Sequence, residues 1–162
     1  MRRQMRTKFI PLLWMLTVAA LAASDASNTL GKYTINVGQS SYTPASAGRI
    51  DKSMTVTREL SNGGVKQTTN GTMPDGTPFF ASYTSKHDGE IVQVIGNAPF
   101  DRIAVKQVNA DTVTDERKKT DGRYEATGRT VFTNDGKTMS VTIKGINAEG
   151  TKFVQVLVFD KQ

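Results

Sequence analysis

From residue 52 onward the chain runs in short stretches where apolar and polar residues alternate, and none keeps a helical period over ten residues. Strands are predicted near 31–37, 52–60, 65–71, 78–85, 90–95, 102–108, 112–119, 123–133, 137–146 and 151–160. Between them stand "SNGG", "MPDGT", "KHDG", "GNAP", "NAD", "TDG", "NDG" and "NAEG". Their Gly, Asn and Asp supply the positive φ that tight hairpins demand. About ten consecutive antiparallel strands make a meander, and one of that length tends to close so that no edge stays exposed. The predicted fold is all-β: a single antiparallel up-and-down β-barrel of about 8–10 strands.

The last run, "FVQVLVFD", is apolar on both of its alternating faces, so the preceding turn decides which side points inward. A four-residue loop over 147–150 pairs Ile146 with Thr151. Met139, Val141 and Ile143 then lie opposite Val158, Val156 and Val154 on a wholly apolar face, the expected interior. Phe153, Leu157 and Phe159 fall outside among Thr and Lys stems. There they serve either as cross-strand packing or as a surface for weak self-association.

An Asp135-Gly136 turn extends this ladder backward. Tyr124, Ala126, Gly128, Thr130 and Phe132 join the apolar face, and Arg123, Glu125 and Arg129 join the other. One hairpin earlier, a two-residue Asp121-Gly122 turn aims Val113, Asp115 and Arg117 inward. A buried Asp–Arg pair is costly without a partner, and a polar ligand head could be that partner. A three-residue turn sends both charges outside instead, in keeping with the rarity of buried charge.

Two hairpins echo each other at a fixed offset. "NGTMPDGTPFF" (70–80) and "KGINAEGTKFV" (144–154) share Gly71/Gly145, Gly76/Gly150, Thr77/Thr151 and Phe79/Phe153 in step. Two turns of one design account for this; a propeller or solenoid does not. The Ser-, Gly- and Pro-containing stretch 38–51 reads as a loop that wraps or caps one end of the barrel.

The N-terminus belongs to another class of segment. "MRRQMRTK" is basic, "FIPLLWMLTVAALAA" is an apolar run of 15 residues, and small residues follow. This is the pattern of a secretory signal peptide over 1–26, cut after Ala22 or Ala26, with the barrel domain over 27–162. A periplasmic or secreted protein without a membrane span after processing is expected. Four of the 21 Lys+Arg and one of the 15 Asp+Glu precede residue 27, leaving 17 against 14. A net charge of +3 is an ordinary surface, and no nucleic-acid partner is expected. The chain has no cysteine, so disulfides and thiol chemistry are excluded.

Chemistry-bearing motifs are sparse. His87, the only histidine, sits in "KHDG" and reads as part of a hairpin tip. One histidine and no cysteine give no zinc set, and no nucleophile elbow or phosphate loop is present. No catalytic residue, metal or cofactor is expected.

"GKYTINVGQSSYTP" and "DGKTMSVTIKGINAEGTKFVQVLVFDKQ" resemble a family of small exported bacterial proteins described as lipocalin-like. More distantly, the ten strands and this ending are similar to the fatty-acid-binding barrels of the calycin group. The resemblance implies an internal cavity for a small apolar or amphipathic molecule. The chain departs from these patterns at Gly31-Lys32-Tyr33, where lipocalins usually have Gly-x-Trp. It also has Leu157-x-Phe159 where fatty-acid-binding proteins carry Arg-x-Tyr. The expected function is a non-enzymatic barrel that binds or shields such a molecule. Candidate lumen residues are Tyr83, Asp115, Arg117, Tyr124, Phe132, Met139 and Val156. The competing reading is a structural or protein-interaction β-domain with a packed interior.

Overall fold

Twelve β-segments provide nearly all the regular structure of the computed structural model, which describes residues 26–133 and 135–162. They are β1 (Gly31–Ile35), β2 (Ser41–Thr43), β3 (Ser53–Ser61), β4 (Gly64–Thr72), β5 (Pro78–Ser85) and β6 (Asp88–Gln93). β7 (Ile95–Gly96), β8 (Arg102–Asn109), β9 (Thr112–Lys118), β10 (Glu125–Thr133), β11 (Thr138–Ile146) and β12 (Lys152–Lys161) follow. A single helical turn, α1 (Ala26–Thr29), precedes β1. The expected leader over 1–26 lies outside the described residues apart from Ala26.

The ladder runs β6-β8-β9-β10-β11-β12-β1-β3-β4-β5-β7, with β2 also on β12, and every pairing is antiparallel. Two staves of this nearly closed barrel are split. β6 pairs with β8 while β7, just beyond it, pairs with β5, so closure is complete but for a seam where β5 and β6 form no ladder. β1 and β2 both run along β12, separated by a 3-10 turn at Val37–Gln39. Across that interruption the Ser40 hydroxyl accepts from Val158 N (3.1 Å) and donates to Asn36 O (2.8 Å), standing in for missing strand backbone. Counting each split stave once, the strands occupy ten positions around the wall, as the meander predicts.

The register of β9, β10 and β11 follows the expected pairing: Arg117 faces Ala126, Asp115 faces Gly128, and Phe132 faces Met139. Every second residue of β10 is buried (Ala126, Gly128, Thr130 and Phe132), and those between are exposed or, at Val131, half-buried. Asp135 and Gly136 both adopt positive φ (56° and 79°), as a two-residue hairpin turn requires.

The final hairpin departs from expectation by one residue. Its loop holds five residues, 147–151, so Ile146 faces Lys152, Ile143 faces Gln155, Val141 faces Leu157 and Met139 faces Phe159. Asn147 N donates to Thr151 O (2.9 Å), Gly150 N donates to Asn147 O (3.0 Å), and the Asn147 side chain accepts from Thr151 N (2.8 Å). A slip of one residue inverts both faces of β12. Phe153, Leu157 and Phe159 are therefore core residues, 4%, 6% and 1% exposed, and they form no self-association surface. Val156, expected in the lumen, is on the outer face with Val154 and Val158. Two phenylalanines and a leucine bury more apolar area than three valines, at roughly 25 cal/mol per Å².

The echo between the hairpins is structural. Met73 N donates to Thr77 O (2.8 Å) and Gly76 N donates to Met73 O (2.9 Å), repeating the 147–151 pattern at the same offset. Gly71 faces Phe79 as Gly145 faces Phe153. Beyond β2, Ala47 and Ile50 pack against the core, and Asn147 Nδ2 donates to Ala47 O (3.2 Å), so the stretch after residue 43 covers that end of the barrel. At the other end Tyr33 Oη and Lys161 Nζ both donate to Asn28 O (3.3 Å each).

This register makes a stability prediction. Phe153→Ala is expected to cost about 3–5 kcal/mol, and Val154→Thr less than about 0.5 kcal/mol, in urea unfolding. A larger loss at Val154 than at Phe153 would return the hairpin to the four-residue loop.

Candidate functional site

The inward faces line a partly open cavity of about 140 Å³. It lies between two apolar clusters: a large one around Tyr33, Val56, Met139, Val141 and Phe159, and a smaller one of Ile103, Val105 and Val113. A dry cavity of roughly 150 Å³ holds one benzene molecule, which sets the scale of any occupant.

A belt of polar side chains interrupts this apolar wall. Arg58 on β3, Gln67 on β4 and Tyr83 on β5 are register neighbours and line the cavity in one row. From the opposite side β9 sends in Asp115 and Arg117. Arg117 Nε donates to Asp115 Oδ1 (2.5 Å) and Nη2 donates to Oδ2 (3.2 Å), so both carboxylate oxygens are engaged. The pair is almost fully enclosed, with the two side chains 14% and 5% exposed. Gly128 makes the space for it: a Cβ there would lie 2.3 Å from Asp115 Oδ2.

Arg58 is only 4% exposed. Its Nε donates to Thr29 O (3.0 Å) and its Nη1 to Gln67 Oε1 (2.6 Å), while its guanidinium carbon lies 5.0 Å from the centre of the Phe132 ring. Nη2 has no hydrogen-bond partner among the described residues.

Burial and charge tune these groups. Desolvation pushes the Tyr83 phenol up to about 12; the Asp115 charge adds to the rise, and the two guanidiniums oppose it. Burial likewise raises Tyr124, with Arg117 opposing. Burial alone would lower Arg117, but the adjacent Asp115 carboxylate outweighs it and holds the guanidinium above its ordinary value. Arg58 has no carboxylate beside it, and burial holds it below its ordinary value.

One end of the cavity is aromatic. Phe100 stacks on Tyr124 (5.8 Å between centroids), Tyr124 tilts against Phe153 (6.0 Å), and Tyr42 stacks on Phe153 (5.3 Å). Arg117 lies over the Phe100 ring at 5.2 Å. The loop bearing Phe100 is fixed by Asn97, whose side chain accepts from Phe80 N and donates to Pro78 O (2.8 Å each).

Of the seven lumen candidates, Tyr83, Asp115, Arg117, Tyr124 and Met139 line the cavity together. Phe132 is buried on the inward face in the large cluster beside Tyr33 and Arg58 but does not line the cavity. Val156 is outside. Of the two orientations open for Asp115 and Arg117, the inward one is found. Arg58 escaped the sequence reading, although "SMTVTREL" places it on the same alternate positions as Met54 and Val56. A charge on the apolar parity of a strand was the available signal. His87 is not simply solvated: Nδ1 lies 3.0 Å from Gln107 Oε1, and burial holds the imidazole below its ordinary value.

No protein-family model and no curated protein matches this chain.

Two measurements check the belt. Asp115→Ala leaves a buried guanidinium unpaired and is expected to cost about 3–5 kcal/mol in urea unfolding. The Asp115→Leu/Arg117→Met double variant should lose less; equal or greater loss would mean the pair adds stability beyond mutual compensation. The Tyr83 phenol ionises near 10 when unfolded and near 12 when folded. Its stabilising contribution is complete below pH 10 and is lost as pH rises from about 10 to about 12. Ultraviolet titration should show late-ionising phenols, the latest of which Tyr83→Phe removes; ordinary ionisation of every tyrosine would refute their burial.

Proposed function

We propose that this protein is an exported, non-enzymatic, lipocalin-like barrel that binds or shields one small amphipathic molecule in its lumen. The observation that carries the reading is the 140 Å³ cavity: an apolar hollow into which a few polar groups converge, the usual composition of a small-molecule site. The basic and apolar leader sequence supports export to the periplasm or beyond.

The polar groups suit binding better than proton transfer. Asp115 has both oxygens committed to Arg117, and the Tyr83 phenol stays protonated over the whole physiological range. Neither group is free to take up a proton from a substrate. The size of the cavity further directs the reading toward a single ring or a short chain and away from a long-chain fatty acid. The substitution of Leu157-x-Phe159 for the Arg-x-Tyr of fatty-acid-binding barrels points the same way.

The test uses the full chain expressed with its leader. Native mass spectrometry is expected to find a small adduct that denaturation releases. Titration with benzyl alcohol should shift the methyl NMR signals of Met139, Val141 and Leu157. An adduct-free protein whose core methyls ignore the probe would overturn the binding reading and favour a packed interior.

A further inference from the structure

The lumen carries two guanidiniums, Arg58 and Arg117, against one carboxylate, Asp115. Both oxygens of Asp115 bond to Arg117, and Arg58 is an enclosed cation with no carboxylate within ion-pair distance among the described residues. Desolvating a charge is expensive unless hydrogen bonds and an opposite charge offset it. Two of the three guanidinium nitrogens are satisfied by Thr29 O and Gln67 Oε1, so the group is fixed in place rather than free to reach solvent. The third, Nη2, is buried and unpartnered on a residue that lines the cavity. The one other such nitrogen among the described residues, Arg102 Nε, belongs to a residue that does not line it.

From this we infer that the occupant is a small monocarboxylate whose anionic head accepts a charge-assisted hydrogen bond from Arg58 Nη2. Its apolar body rests on Val56, Met139, Leu157 and Phe159, which line the same cavity. The inference rests on the binding reading above and adds the chemical class of the ligand. Charge balance favours a single negative charge, since one anion brings the lumen to neutrality. Hydrogen bonds from a guanidinium to a carboxylate are short and strong. The hollow has room for about one ring.

Benzoate and benzyl alcohol are nearly the same size and differ chiefly in charge. Calorimetric titration of the wild-type protein near neutral pH is expected to show benzoate binding about tenfold or more tighter than benzyl alcohol, the worth of one charge-assisted hydrogen bond. Arg58→Met should erase that preference while retaining affinity for the alcohol. Equal binding of the two probes by the wild type would overturn the carboxylate assignment and leave the cavity reading standing. A preference that survives in Arg58→Met would overturn the role of Arg58. Failure of both probes to bind would overturn the binding reading itself and the assignment with it. Should Arg58→Met not fold, the wild-type comparison still decides.

Discussion

The pairing of β1 with β12 is the constraint on which the rest of the molecule depends. Tyr33, Thr34 and Ile35 lie in register with Lys161, Asp160 and Phe159, and the same short strand pairs with β3 on its other edge. One five-residue segment thus joins the end of the meander to its beginning. Without it the sheet would present two free edges, each a row of unpaired backbone groups. With it, alternate side chains from every stave converge on a shared interior, and each residue's parity acquires a meaning. Tyr33, wholly buried on this strand, contributes apolar bulk to the large cluster and a hydroxyl to the carbonyl of Asn28.

Closure also explains why charge can survive inside. Arg117 and Asp115 satisfy each other within the wall, and the absent side chain of Gly128 gives the carboxylate its place. Arg58 is held by a backbone carbonyl, an amide and the face of Phe132. Buried polar groups of this kind are costly when incompletely matched, and an incompletely matched donor is a hypothesis about what else belongs there. The hollow is too modest for a long chain, so electrostatic match would contribute to selectivity along with shape.

Much of this architecture was legible in the chain because hairpin turns announce themselves. Asp135-Gly136 sets the β10–β11 register, and the two-residue reading of the Asp121-Gly122 turn gives the observed β9–β10 pairing, whereas the three-residue alternative does not. The β11–β12 register was misread because both faces of "FVQVLVFD" are apolar, so the pattern could not correct an error in loop length. The correct length was nonetheless present in the echo. The 73–77 turn and the 147–151 turn share one hydrogen-bond pattern, and Gly76 and Gly150 share a positive φ (95° and 88°). Reading the second hairpin by analogy with the first would have placed Phe153, like Phe79, on the inward face. The split of the first stave at 36–40 had no such signal, since it depends on a hydroxyl of Ser40 reaching a strand distant in sequence. The site was half visible: inward positions on β9 and β10 follow from register, whereas the isolation of Arg58 emerges only when β3, β4 and α1 are brought together.

Which side chains of the last hairpin and the first strand face the hollow is read directly by cross-strand nuclear Overhauser contacts. Contacts between Val141 and Leu157, between Met139 and Phe159, and between Thr34 and Asp160 are predicted. Contacts of Val141 with Val156 and of Met139 with Val158, or no contact between the first and last strands, would contradict it.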